Sequence, residues 1–164
     1  INIAVITISD SRTAKNDTSG DIFEQRIMEA GHNLIKRMII PDDVNQIKET
    51  LETISKEKEI DCIITTGGTG LTGRDSTPEA VEKIASKNID GFGELFRQVS
   101  FEKIGTSAIQ SRALAALVNS TYVFCLPGST SACKDGWDEI LKYQLDIRHK
   151  PCNFVEIMPR LNES

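Results

Sequence analysis

The stretch CIITTGGTGLTGRDSTPEA, residues 62–80, holds a strand, a turn and a helix start in that order. Cys62–Thr66 is a short apolar and β-branched run that reads as a buried strand, Gly67-Gly68 breaks it, and Pro78 suits the first turn of the following helix. Upstream the same alternation occurs twice. Ile3–Ile8 reads as a strand, and Gly20–Ala30 as a helix in which Phe23, Ile27 and Ala30 share a face. Leu34–Ile40 is a second strand, followed by a helix whose Val44, Ile47, Leu51 and Ile54 form a one-sided stripe. Downstream, Gly91–Leu117 reads as helical with one interruption near Gly105, and Phe92, Leu95, Phe96 and Val99 make its apolar face. Tyr122–Leu126 is a fourth strand, ended by Pro127-Gly128. Ser129 or Thr130 can cap a last helix that runs to about Leu145 with Trp137 and Leu141 inward. The tail, with Pro151 and Pro159, is expected to be extended. Strand–helix alternation with short apolar strands predicts an α/β fold: a three-layer α/β/α arrangement around a doubly wound, mostly parallel sheet.

The 164 residues suffice for one domain spanning 1–164. The net charge of −5 is spread along the chain and aromatic residues are few, so no affinity for nucleic acid is expected. The four cysteines form no CxxC pair, and Cys62 and Cys125 fall in apolar runs, which argues against a zinc site or disulfide framework and fits a reducing cytosol. No apolar run is long enough to span a bilayer and the chain opens on a strand pattern rather than a charged leader, so a soluble, cytoplasmic protein without a membrane partner is expected. With no Met at position 1, a few residues ahead of Ile1 are also expected.

In an open parallel sheet, ligands bind beyond the carboxyl ends of the strands, where loops converge and helix N-termini present unpaired N–H groups. The unusual residues all fall in such loops: Ser9-Asp10-Ser11-Arg12, Pro41-Asp42-Asp43, Gly67-Gly68-Thr69-Gly70 and Pro127-Gly128-Ser129-Thr130. Glycines let a backbone approach a bulky anion and offer N–H groups to phosphate oxygens. A single such turn is equally a tight strand-to-helix connection. The second turn, with the same strand–glycine–hydroxyl–helix layout and Lys134 one turn onward, points to a polyphosphate or to two phosphorylated ligands. Neither turn matches a P-loop or the dinucleotide fingerprint.

Thr77 before Pro78, or Ser76 with Glu79, can cap the helix at Pro78, which leaves Asp75 uncommitted. A carboxylate beside a phosphate cradle is repelled unless a divalent cation intervenes, so Mg²⁺ is the natural inference; the plain alternative is a loop acid paired with Arg74. Of Asp42 and Asp43, one is expected to cap the next helix, and Asp43 has the spacing to Gln46 for it. The other, Asp42, could share the metal with Asp75. His32 and His149 have no Ser or Cys nucleophile beside them and read as surface residues. Arg12, Arg74 and Arg112 can each clamp phosphate or pair with a surface acid.

The strings TISDSR, IPD, TTGGTGLTGRDSTPEA, DGFGELFR, SFEKIGTSAIQSRA and LPGSTSACKDGWDEIL together resemble the MogA/MoaB group of molybdopterin adenylyltransferases, related to the gephyrin G domain. The likeness covers nearly the whole chain, and the tail IRHKPCNF is similar to the MoaB branch. The resemblance implies the fold of the molybdenum cofactor biosynthesis proteins, a homo-oligomer that is a trimer or a dimer of trimers, and a molybdenum-insertion protein as partner. It implies an enzyme that joins AMP from Mg-ATP to molybdopterin and releases pyrophosphate. It assigns Asp75 and Asp42 to catalysis and magnesium, Gly67, Gly68, Thr69 and Gly70 to nucleotide or phosphate contacts, and Pro127, Gly128, Ser129 and Thr130 to molybdopterin. Ser9 and Asp10, on the same rim, are further binding candidates. The other function to be weighed is a molybdopterin-binding carrier or assembly scaffold without turnover.

Overall fold

Alternation along the strands decides which side of the sheet each side chain enters. In the computed structural model, which describes residues 1–163, β1 (Asn2–Ile8) sends Ile3 and Val5 to one face and Ala4, Ile6 and Ile8 to the other. β3 (Cys62–Thr66) and β6 (Thr121–Leu126) divide likewise, and all three are buried on both sides. With β2 (Asn33–Ile40), β4 (Lys87–Asn88) and β5 (Leu114–Val118) they form a six-stranded sheet in the order β2-β1-β3-β6-β5-β4. The pairs β1–β2, β1–β3 and β3–β6 are parallel, whereas β5–β6 and β4–β5 are antiparallel.

Helices cover both faces. α1 (Thr18–Glu29), α4 (Asp90–Ile104) and α5 (Thr130–Gly136) lie on one, contributing Phe23, Ile27, Phe92, Phe96 and Cys133. α5 runs on through a π-helical turn over Trp137–Leu141, which adds Trp137 and Leu141, and ends in α6 (Lys142–Gln144). The opposite face takes Ile47, Leu51 and Ile54 from α2 (Val44–Ile54) and Ala80 and Val81 from α3 (Thr77–Glu82). The three-layer α/β/α arrangement and mostly parallel sheet are as the sequence predicts. Among the described residues no helix is long and apolar enough to cross a membrane.

Two expectations need correction. The helix expected over Gly91–Leu117 stops at Ile104, where Gly105 takes φ 59°; a 3-10 segment follows over Gly105–Gln110, and Leu114–Val118 is a strand. Leu, Ala, Ala and Leu carry helix propensity, but Ala115 and Leu117 are buried on one face and Ala116 and Val118 on the other. Hairpin pairing with β6 through Asn119 and Ser120, both at positive φ, overrides that propensity. The tail is not extended: α7 (Phe154–Ile157) is capped by Asn153, whose Oδ1 accepts from Glu156 N at 2.8 Å, and Met158–Arg160 adds a 3-10 turn. Phe154 fixes this tail by packing its ring 4.9 Å from Tyr122 and 5.4 Å from Phe124.

Candidate functional site

At the carboxyl ends of the neighbouring parallel strands β3 and β6 the chain leaves toward opposite faces, to α3 and to α5. Such a divergence opens a crevice between the two exits. Gly67 N still donates to Leu126 O at 2.9 Å as the last rung between the strands. The backbone then turns through φ 105° at Gly67 and 67° at Gly68, a region that disfavours side chains. A Cβ on Gly67 would stand 2.1 Å from the carbonyl oxygen of Ile8.

Every carbonyl of this turn is held from the protein side. Thr77 Oγ1 donates to Gly67 O at 3.0 Å and Thr77 N to Gly68 O at 3.0 Å. Arg112 N donates to Thr69 O at 3.1 Å, and its Nε to Gly70 O at 2.7 Å. In a trans peptide the N–H points opposite to the C=O, so the N–H groups of Gly68 and Thr69, unpaired among the described residues, face outward. That is the geometry of an anion cradle.

The second turn touches the first: a Cβ on Gly128 would lie 3.4 Å from Gly67 Cα. Ser129 caps α5 by accepting from Ala132 N at 3.2 Å, as the sequence predicts for Ser129 or Thr130. A cleft of about 430 Å³ joins Gly67, Gly68, Thr69, Gly70 and Asp75 on one side to Pro127, Gly128 and Ser129 on the other. Its third wall, from α4 and the 3-10 segment, includes Phe96, Ser100, Ile104, Ala108 and Gln110. An apolar wall opposite two sets of backbone donors suits a flat, partly apolar ligand with a phosphate tail. Sequence reasoning missed this wall, because the apolar face of Gly91–Leu117 shows that the helix is one-sided without showing that part of it borders a cleft. The helix-ending Gly105 between Ser100 and Gln110 was the available signal.

Asp75 lies on the cleft, with Oδ2 accepting from Thr72 N and Oγ1, both at 2.7 Å. Partial burial works to raise its pKa, but the hydrogen bonds from Thr72 and the charge of Arg112 outweigh it and the net shift is downward, so the carboxylate is ionised at neutral pH. Asp42, 8 % exposed, stands beside Gly68 outside the cleft lining, and its Oδ1 accepts from Ser76 N at 3.0 Å and Oγ at 2.7 Å. Asp42 thus commits Oδ1 and leaves Oδ2 without a hydrogen-bond partner among the described residues, while Asp75 takes both Thr72 donors on Oδ2 and is held as well by the backbone of Gly70. The two flank one glycine turn. Among the described residues no group of three or more His, Cys, Asp or Glu side chains converges. This donor set fits Mg²⁺, which is commonly held by one or two carboxylates together with water and substrate phosphate rather than by a protein cage.

The remaining candidates fall elsewhere. Neither Thr77 nor Ser76 makes a side-chain cap for α3: the Thr77 hydroxyl is spent on Gly67 and that of Ser76 on Asp42. Asp43 caps α2, accepting from Asn45 N and Gln46 N at 3.0 Å. Ser9 and Asp10 line a separate depression with Arg12 and Pro41, and Thr130 is not part of the cleft lining. Ser9 Oγ accepts from Arg12 N at 3.1 Å, while Asp10 accepts both prongs of Arg74, at 2.9 and 2.8 Å, and the N–H of Asp42 at 3.1 Å. Asp10 thereby ties the first loop to the Asp42 and Asp75 loops. Arg112 turns inward to the Gly70 and Asp75 carbonyls and pairs with Glu79.

With this geometry in view, comparison with known proteins is specific. The family model described as "Probable molybdopterin binding domain" matches residues 4–147. Molybdenum cofactor biosynthesis protein B of Escherichia coli (strain K12) is 41 % identical over 152 residues, 93 % of this chain and 89 % of that one. A crystal structure of molybdenum cofactor biosynthesis protein B superposes with TM-score 0.89 at 34 % identity, covering 100 % of this chain and 97 % of the other. The tungsten cofactor synthesizing protein MoaB from Pyrococcus furiosus superposes with TM-score 0.77 at 33 % identity, over 85 % and 89 % of the two chains.

Proposed function

The chain belongs to the molybdopterin binding domain family and has its role in molybdenum cofactor biosynthesis, and from that membership we propose that it is a nucleotidyltransferase joining AMP from Mg-ATP to the phosphate of molybdopterin. The observation that carries this reading is the meeting of two backbone cradles and an ionised Asp75 on one cleft. Two cradles in contact suit two phosphorylated reactants held side by side.

In the proposed reaction an oxygen of the molybdopterin phosphate attacks the α-phosphorus of ATP; the new P–O bond forms as the bond to the β-phosphate bridge breaks, and pyrophosphate leaves with the electron pair. The nucleophile is already an anion. No general base is required, which agrees with His32 and His149 lying outside the cleft lining. The barrier is dominated by bringing like charges together, and fixed donors lower it without reorganising. The outward N–H groups of Gly68 and Thr69 hold one phosphate group and the Gly128 turn the other, while Phe96, Ile104 and Ala108 exclude water from the ring side. Asp75 and Asp42 would hold Mg²⁺ against the nucleotide. The ion, when bound, supplies positive charge to the phosphates of ATP and their leaving group.

The test is direct: purified protein with Mg-ATP and molybdopterin should form adenylylated molybdopterin and pyrophosphate, separated by chromatography. Absence of transfer above background overturns the reading. Asp42 favours the second reading, a molybdopterin carrier or scaffold, because it is nearly buried and half committed to Ser76. That alternative requires molybdopterin binding indifferent to ATP, to magnesium and to Asp42→Ala.

We further infer a homo-oligomer. Phe101, Ile104 and Ile109 are 59 %, 58 % and 83 % exposed along the end of α4 and the 3-10 segment, an apolar surface that a second copy would cover.

A further inference from the structure

The Gly128 turn is held by residues that are not on the cleft. Gly128 O accepts two hydrogen bonds, from Ser19 Oγ at 2.8 Å and from Arg12 Nη2 at 2.9 Å. Ser19 Oγ in turn accepts from Arg12 Nη1 at 3.0 Å, so the three groups close a ring. Behind them lies Asp17, whose fully buried carboxylate accepts from Thr7 Oγ1 at 3.0 Å, Gly20 N at 3.0 Å and Arg37 Nη2 at 2.8 Å, and stands 3.8 Å from Arg12 Nη1. Held by these donors, the Asp17 side chain is fixed in place and stands directly behind Arg12.

We propose that Arg12 and Ser19, backed by Asp17, are positioning residues that set the direction of the Gly128–Ser129 peptide, and so make the Ser129 N–H a donor for the phosphate of molybdopterin. The assignment rests on the functional reading above and deepens it. With its carbonyl gripped on the α1 side, the trans peptide turns the N–H of Ser129 to the opposite side, where Gly128 and Ser129 line the cleft. The preceding peptide is set the same way, since Pro127 O accepts from Thr66 Oγ1 at 3.1 Å and turns the Gly128 N–H outward. Glycine offers little resistance to rotation of its flanking peptides, so the clamp supplies the rigidity that residue 128 lacks. Rotating the peptide would break two hydrogen bonds, one of them charge-assisted. The first loop therefore serves the site through the second turn, although Ser9 and Asp10 of that loop lie apart from it.

The experiment uses the full chain, ¹⁵N-labelled, as wild type, Ser19→Ala and Arg12→Lys, with molybdopterin and Mg-ATP as probes. In wild type, molybdopterin should shift the Gly128 and Ser129 amide resonances. In both variants the Ser129 resonance should move before any ligand is added, and KM for molybdopterin should rise about tenfold, the loss of one well-placed hydrogen bond, while KM for Mg-ATP stays within about twofold. Wild-type binding with unaltered KM values in both variants overturns the positioning role and leaves the functional reading intact. Equal rises in both KM values also overturn it, by reducing the clamp to general stability. A wild type that binds no molybdopterin sinks the functional reading, and this assignment with it. Because Arg12 is partly exposed, Arg12→Lys keeps the test open if Ser19→Ala fails to fold.

Discussion

Thr77 closes the glycine turn from within, its Oγ1 donating to the carbonyl of Gly67 at 3.0 Å although the sequence marks it as a helix cap. Thr77→Val keeps the shape and removes the donor, which leaves a buried carbonyl unsatisfied. The expected cost is about 1–3 kcal/mol, measured as a lowered urea midpoint with unchanged slope. A midpoint equal to wild type would show that the hydroxyl is dispensable.

Gly67 meets two obstacles to substitution, its φ of 105° and the Ile8 carbonyl 2.1 Å from any Cβ. Gly67→Ala should destabilise by about 3 kcal/mol or more and sharply lower soluble yield. Denaturation within about 1 kcal/mol of wild type would contradict this account of the turn.

Asp75 is the acid that reaches the cleft, so Asp75→Asn should reduce AMP transfer by about a hundredfold or more with the thermal midpoint nearly unchanged. Chelation of magnesium should abolish wild-type transfer in the same assay. Equal transfer rates for variant and wild type would remove Asp75 from the chemistry.

His32 is not a plain surface residue. It is half-buried, with its ring 6.3 Å from that of Trp137 in an edge-to-face arrangement. Burial lowers its pKa from the ordinary 6.5. The neutral ring is the native form, so the unfolded chain binds the proton more readily. Stability from this group is complete above about pH 6.5, falls as the pH drops from there toward the folded value, and changes no further below it. NMR titration of the ring should give a midpoint below 6.5, and His32→Gln should flatten the stability profile across that window. A midpoint at or above 6.5 would rule this out.

Wild-type protein at micromolar concentration should sediment as an oligomer, and Phe101→Asp with Ile109→Asp should shift it toward monomer, because both place charge on the exposed apolar strip. A wild type that sediments as monomer throughout would refute the inferred assembly.

What could be read without coordinates was whatever periodicity and glycine placement carry. Cys62–Thr66 has the predicted bounds and α2 carries the predicted stripe from Val44 to Ile54, because a buried β-branched run and a one-sided stripe leave few alternatives. Asp43 as the cap of α2 was legible from its spacing to Gln46, whereas Ser129 and Thr130 were both candidates for α5 and only the bond from Ala132 N singles out Ser129. β5 was not, since Ala115 and Ala116 favour helix until a hairpin partner is present. The division of labour among loop side chains was also hidden. Spacing places Arg12, Asp10, Ser76 and Thr77 near the rim, but only three-dimensional contact shows that they grip Gly128, Arg74, Asp42 and Gly67 respectively.

The contact between Gly67 and Gly128 constrains how this protein could be re-engineered. The two turns leave adjacent strands whose spacing of about 4.8 Å is dictated by ladder hydrogen bonds, so the gauge between the groups they hold cannot be widened by changing side chains. Selection for bulkier or differently substituted ligands would have to act on the opposite bank, at Ile104, which lines the cleft yet is 58 % exposed and can be trimmed without opening the core.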